Sequence, residues 1–266
     1  MNKVKILWSG ITGRTGQLAL EVAKENDSVE IVAGICRSNN NFYHYDELDS
    51  IKEEFDVIVD FSHKDCFDQI LNYALKVKKP IIIGTAGLTD EQIESFEDAA
   101  NIIPVFRGGN FRFEVKHFID EVVEYAKTCE AEVIELVETH YYTVPIPSQT
   151  AKVIGKRVLD ETSKKVEIKS FSQDEQDTND WRVSDIHYYC RAYDETLAAD
   201  VLKIAEMMKN KKPNGVYDLD RLFREREMDI LYQFLIEAKK QTYANANVEK
   251  MKPSRLGSSD YHYEAE

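Results

Sequence analysis

Three glycines at three-residue spacing, in the run Gly10-Ile11-Thr12-Gly13-Arg14-Thr15-Gly16, follow the apolar stretch Val4 to Trp8 and open an amphipathic segment reaching about Glu25. Glycine lets a backbone turn tightly and come close to a pyrophosphate, whose charge then meets the amides and positive dipole end of the following helix. The same spacing also occurs in purely structural turns. Strand before and helix after make the dinucleotide-binding reading the one to test.

The alternation continues. Apolar runs at Val29 to Cys36, Val57 to Phe61, Ile81 to Gly84 and Ile103 to Phe106 are separated by helical patterns near Lys64 to Val77 and Thr89 to Ala100. Strands joined by helices imply an α/β unit with a parallel sheet covered on both faces, because parallel pairing needs long crossovers. After Asn110 the pattern changes to a long helix, Phe113 to Thr128, then a strand, Ala131 to Thr139. A loop from Tyr141 to Gln149 holds Pro145 and Pro147, which exclude regular helix, and a helix from Thr150 to Leu159 follows. Strands at Val166 to Phe171 and Val183 to Tyr193, with a polar loop Ser172 to Asn179 between them, make this an α+β module. Helices at Glu195 to Lys209 and near Met228 to Lys240 precede a polar tail, Tyr243 to Glu266.

A length of 266 residues suits two domains. The net charge of −14 argues against nucleic acid and anionic membrane, since both need a surplus of Lys and Arg on one face, and leaves a small-molecule substrate as the default. No apolar run is long enough to span a bilayer and no leader pattern precedes Val4, so a cytoplasmic protein is expected. Cys36, Cys66, Cys129 and Cys190 have neither disulfide-framework nor zinc-site spacing, and His44, His63, His117, His187 and His262 show no metal-like spacing, so no metal is assigned.

After the second strand, a dinucleotide site commonly carries an acid that accepts hydrogen bonds from ribose hydroxyls. Here stand Cys36-Arg37-Ser38. Arg37 offers a guanidinium suited to a 2′-phosphate, which points to NADPH, with NADH as the other donor to consider. Alternatively Arg37 is a solvated side chain and the acid lies elsewhere, at Asp60.

Several segments resemble the dihydrodipicolinate reductase family in order: Gly10 to Gly16, Val59-Asp60-Phe61-Ser62, Gly84-Thr85-Ala86-Gly87, Asn110-Phe111, Glu138-Thr139-His140-Tyr141, Pro147-Ser148-Gln149-Thr150-Ala151 and Gly215-Val216-Tyr217-Asp218. The resemblance covers about Val4 to Phe223. It implies a Rossmann domain made of residues 1–111 and 217–241, a central substrate and oligomerisation domain of residues 112–216 with an open mixed sheet, a polar tail of residues 242–266, and a homotetramer joined through those sheets. It also implies an NAD(P)H-dependent oxidoreductase acting on a cyclic imine-type dicarboxylate in lysine and diaminopimelate biosynthesis. Carried over by position, Gly10, Ile11, Thr12, Gly13, Arg14, Thr15, Gly16, Arg37, Ser38, Gly84, Thr85, Ala86, Gly108, Gly109, Asn110 and Phe111 would hold the cofactor. His140 would be the catalytic histidine, and Tyr141, Ser148, Gln149 and Thr150 would bind substrate. Hydride addition to C=N leaves negative charge that a nearby acid must quench, and histidine suits that task near neutral pH. Amides opening the Thr150 helix suit a carboxylate, although Ser148 and Thr150 are also ordinary helix caps.

The chain departs from the family around the substrate. The loop His140-Tyr141-Tyr142-Thr143-Val144-Pro145-Ile146-Pro147 lacks the family's lysine, Gln149 replaces a glycine, and Arg112 and Glu114 replace small residues. Tyr141 or Tyr142 as proton donor, or Lys152, Lys156 or Arg157 as cation, would compensate. Reduction of a different imine or carbonyl, or dinucleotide binding without turnover, are the competing functions.

Overall fold

The computed structural model describes residues 2–38, 41–141, 146–173, 178–183 and 188–228. Residues 1–219 form one compact unit and residues 220–266 a second, of which 220–228 are helical. The expected helix beyond Met228 and the tail from Tyr243 lie outside the described residues.

The first part of the larger unit alternates as its sequence implies: β1 (Val4–Ser9), α1 (Arg14–Lys24), β2 (Val29–Ile35), β3 (Val57–Asp60), α2 (Lys64–Val77), β4 (Ile81–Ile83), α3 (Asp90–Ala99) and β5 (Val105–Arg107). Runs such as Val57–Val59 and Ile81–Ile83 are buried on both faces, as parallel strands sandwiched between helices must be. The α2 helix shows how one covering element is specified. His63 caps its start by accepting from the Asp65 amide, Phe67, Ile70, Leu71 and Ala74 form one apolar face, and Lys78 in the left-handed region closes it. Phe67 lies at the centre of that face, wholly buried, and truncating such a side chain typically costs about 3–5 kcal/mol.

All pairings in this sheet are parallel, in the order β10-β5-β4-β3-β1-β2, where β10 is Val216–Tyr217. From β1 the chain runs outward to β2 and then returns to the other side of β1 as β3. The crevice outside the C-terminal ends of β1 and β3 is therefore the topological switch point, where doubly wound sheets bind nucleotides. Tyr43 covers the outer edge of β2 through a parallel bridge to Ile35, with Tyr43 N–H donating to the Gly34 carbonyl.

The chain then forms α4 (Phe113–Thr128), β6 (Val133–Tyr141), α5 (Gln149–Thr162), β7 (Lys165–Gln173), β8 (Thr178–Val183), β9 (Tyr188–Tyr193) and α6 (Asp194–Met208). The strands make a mixed sheet ordered β7-β6-β8-β9, in which β6 and β7 are parallel and the other pairs antiparallel. Val115, Phe118, Ile119 and Val122 of α4 and Ile154 and Val158 of α5 pack against Ile134, Leu136, Trp181 and Val183. The α6 helix packs against α1.

Three sequence expectations are corrected. The single strand Val183 to Tyr193 is instead part of a hairpin: β8 begins at Thr178, inside the expected loop, because Trp181 and Val183 enter the core at two-residue spacing and the ladder with β9 runs back to Thr178. The first strand of the module extends beyond Thr139 to Tyr141, since its pairing with β7 continues to Tyr141 opposite Gln173. His140 thus lies within a strand rather than after it. Val216–Tyr217, read only as a motif, is a sheet strand.

Candidate functional site

The glycine loop has the shape its spacing implies. Gly10 sits at φ +81°, and a Cβ there would lie 2.2 Å from the Phe61 carbonyl oxygen, so the loop can pass over β3 only as glycine. Gly10 and Ile11 donate their amides to the Ile35 carbonyl at 2.9 and 3.2 Å, and Gln17 Nε2 donates to the Ile11 carbonyl at 2.8 Å. Thr12, Gly13 and Arg14 are exposed, whereas Ile11 is wholly buried and anchors the loop from below. Gly13 is the N-cap of α1 and brings no side-chain acceptor to its first amides, while α2, α3 and α5 are capped by His63, Thr89 and Ser148. A helix start so presented suits a diphosphate.

Beside the loop the ends of β1, β3 and β4 converge on one carboxylate. Asp60, with no exposed surface, accepts from Ser9 Oγ at 2.7 Å, Ser62 Oγ at 2.6 Å and Thr85 Oγ1 at 2.6 Å. Thr85 Oγ1 in turn accepts from the Ser62 amide at 3.0 Å. The Tyr45 hydroxyl lies 2.8 Å from Ser9 Oγ. Burial pushes the Tyr45 phenol up to about 12, so it stays protonated and donates to Ser9, whose own proton goes to Asp60. Burial pushes the Asp60 carboxyl up, and its three hydroxyl donors pull it part of the way back.

The alternative that Asp60 is the ribose-binding acid fails on this geometry, because its carboxylate is sealed and already taken up by hydroxyls. Arg37 and Ser38 are exposed just past β2. Gly84 is required by Phe61, whose ring would lie 2.3 Å from a Cβ at that position. Ala86 is exposed, and Phe111 is buried against Phe61 and Phe106 at centroid distances of 5.1 and 5.4 Å.

A second buried carboxylate organises the mixed sheet. Glu138 accepts from the Ser148 amide at 2.8 Å, Ser148 Oγ at 2.6 Å and Ser170 Oγ at 2.6 Å, and lies 2.9 Å from His140 Nε2. His140 is 2 % exposed and meets Trp181 edge to face at 5.1 Å. Against the cost of burial, these donors hold the Glu138 carboxyl down at about 2. Ser148 Oγ also accepts from the Ala151 amide at 3.1 Å, which makes it the cap of α5.

The two parts meet at Asn110, whose Nδ2 donates to Thr150 Oγ1 at 3.1 Å while its Oδ1 accepts from the Arg112 amide at 2.9 Å. Gly109 faces Gln149, whose Cγ would be 3.7 Å from a Cβ on that glycine. The structure therefore brings Gly108 to Phe111 up to the start of α5, with Gln149 exposed and Ser148 and Thr150 buried. Tyr141 lies at the end of β6; Tyr142 to Pro145 lie outside the described residues.

Two of the three compensating cations are engaged elsewhere. Arg157 bonds Asp120 at 2.7 Å and Glu161 at 3.2 Å, and Lys156 pairs with Asp160; Lys152 is exposed. Of the substituted residues, Glu114 accepts from Thr196 Oγ1 at 2.8 Å, and the Phe113 amide beside it donates to Asp200 at 2.8 Å. His63 caps α2 and His117 pairs with Glu121 at 3.3 Å. His187 and His262 lie outside the described residues. The four cysteines are free thiols. Among the described residues no group of three His, Cys, Asp or Glu is placed to hold a metal, and no helix is long and apolar enough to cross a membrane.

Sequence reading missed Ser9, Tyr45 and Ser170, and took Glu138 only as part of a motif. An acid ending a strand whose neighbours end in Ser or Thr was the available signal.

Residues 4–111 match the family model for the N-terminus of dihydrodipicolinate reductase. The chain is 34 % identical over 158 residues to a 4-hydroxy-tetrahydrodipicolinate reductase of Caldanaerobacter subterraneus subsp. tengcongensis, a match spanning 58 % of this chain and 63 % of that protein. It is 33 % identical over 168 residues to one of Zymomonas mobilis, spanning 62 % and 66 %. The matches thus cover just under two thirds of these relatives. In fold the chain is similar to a dipicolinate-bound dihydrodipicolinate reductase from Paenisporosarcina sp. TG-14, with TM-score 0.64 at 15 % identity over 82 % of this chain and 98 % of that one.

Proposed function

We propose that this chain, whose residues 4–111 match the model for the N-terminus of dihydrodipicolinate reductase, is an NAD(P)H-dependent reductase of a cyclic imine-type dicarboxylate, 4-hydroxy-tetrahydrodipicolinate. The observation that carries this is the hydrogen bond from Asn110 to Thr150. It sets the end of the dinucleotide-binding part against the α5 start, one residue from the Ser148-Glu138-His140 cluster. On this reading residues 1–111 with 217–241 form the cofactor domain and 112–216 the substrate domain. Return of β10 to the parallel sheet supports that division.

The first amides of α1, presented by the glycine loop, hold the diphosphate, with Gly84 to Ala86 and Gly108 to Phe111 beside the nicotinamide half. NADPH is the preferred donor, because Arg37 is exposed past β2 and Asp60 is sealed from the ribose. When bound, the nucleotide would supply hydride to the C=N carbon. His140, held through Nε2 by Glu138 at 2.9 Å, would deliver the proton to the nitrogen. Gln149 and the first amides of α5 would face the substrate carboxylates, with Tyr141 assigned to the same site by its position in the motif. Exposed Phe171 and Val133, at 55 % and 49 %, suit burial between sheets of a homotetramer in the cytoplasm.

One observation favours a second reading, dinucleotide binding without turnover: Ser148 donates its hydroxyl to buried Glu138, Thr150 is buried, and His140 is nearly sealed. Oxidation of NADPH in the presence of freshly generated substrate separates the two. Sustained turnover, reduced at least about a hundredfold in His140→Ala, supports the reductase. Nucleotide binding with no turnover sinks it.

A further inference from the structure

The two ends of a bound dinucleotide differ in what they can offer: phosphates only accept, whereas ribose hydroxyls and the carboxamide nitrogen can donate. In this sheet the adenosine half belongs on the β2 side of the switch point and the nicotinamide half over the ends of β3 and β4. Ser62 and Thr85 close those two ends, and a hydroxyl there could serve either kind of partner. The protons of both are already committed to Asp60, at 2.6 Å each. Ser9, just before the glycine loop, is tied to the same carboxylate and its neighbouring lone pair is filled by Tyr45.

We propose that Asp60 is a positioning residue which, by taking up the protons of Ser9, Ser62 and Thr85, fixes the spacing of three strand ends and turns Ser62 and Thr85 into obligate acceptors for the nicotinamide ribose and carboxamide. The crevice is thereby divided. Amides of the glycine loop receive phosphate, and the β3 and β4 ends repel it and receive donors. Asp60 acts through the hydroxyls and does not itself touch the nucleotide. The inference rests on the dinucleotide-binding reading but on no particular substrate.

Its test is the affinity of the folded protein for two ligands, NADPH and adenosine 2′,5′-bisphosphate, which lacks the nicotinamide half. In Asp60→Asn the side-chain amide donates, so at least one hydroxyl must turn its proton outward. NADPH should then bind about tenfold more weakly or worse, while the bisphosphate changes by less than about threefold. Equal affinity of variant and wild type for NADPH, or equal loss for both ligands, would overturn the proposal, since a merely structural role weakens both alike. Should Asp60→Asn not fold, Ser62→Ala and Thr85→Val decide: each should weaken NADPH by about threefold or more and spare the bisphosphate. Indifference of NADPH binding to both substitutions refutes it. If the wild type binds neither ligand, the dinucleotide reading itself fails and takes the proposal with it.

Discussion

Asp60 and Glu138 are both carboxylates without exposed surface, one at the crevice of the parallel sheet and the other inside the mixed sheet, and both collect serine hydroxyls. Their ionisation moves in opposite directions. Around Asp60 desolvation outweighs three hydroxyl donors and the Ser62 backbone, and its carboxyl is raised. Glu138 has an imidazole nitrogen among its donors, and its carboxyl falls to about 2. Burial alone therefore does not fix the charge state of a buried acid; the kind of donor around it does. The contrast suits the two tasks, since one carboxylate shapes hydroxyls for a ligand and the other sustains a charge beside a histidine.

The largest effect expected from this contrast is Glu138→Gln, which leaves Ser148, Ser170 and His140 with a poorer acceptor in a sealed site. It should cost about 3–5 kcal/mol in denaturant unfolding; a loss below about 1 kcal/mol would show that the network contributes little. Acid titration sharpens the point. The folded-state pKa of Glu138 lies below its ordinary 4.5, so its contribution is complete above that pH and is lost as pH falls toward about 2. The wild type should lose on the order of 3 kcal/mol across this window, and Glu138→Gln should lose much less.

Asp60→Asn should cost less, about 1–3 kcal/mol, because hydroxyl donors can reorient. The raised carboxyl of Asp60 gives the opposite slope: its ionisation weakens the fold as pH rises through its folded pKa, so the gap between variant and wild type should narrow with rising pH. A gap that widens would contradict the account of Asp60. The smallest effect concerns Asp200, raised to about 6 by burial first and by Glu114 nearby. It binds more protons folded than unfolded between about 3.8 and 6, so the wild type is weakened above that window. Asp200→Asn can still accept from the Phe113 amide and should stabilise by about 1 kcal/mol at neutral pH, with no gain below pH 4, in thermal unfolding followed across pH.

The parallel sheet was legible because its signals are local. Doubly buried strands such as Ile81–Ile83 read as continuous apolar runs, and Gly10 marks its turn by residue type alone. The mixed sheet hid more. Thr178 and Asn179 read as loop because strand identity there comes from pairing with β9, not from their own propensity. His140 was placed outside its strand for the same reason, as only the register with β7 carries β6 to Tyr141. The site was legible wherever glycine or a motif marked it. Ser9, Asp60, Ser62, Thr85 and Tyr45 are brought together from separations of up to 51 residues between bonded partners, so the Ser, Asp and Thr at the strand ends signal a site only once the strand order is known.

The glycine loop as a diphosphate cradle is tested most directly by calorimetric titration of folded protein with NADPH and with NADH, alongside Gly10→Ala. The expected result is saturable binding by the wild type, tighter for NADPH, and none by the variant, whose Cβ would collide with the Phe61 carbonyl. Absence of heat from either nucleotide with the wild type, or undiminished binding by Gly10→Ala, would contradict it.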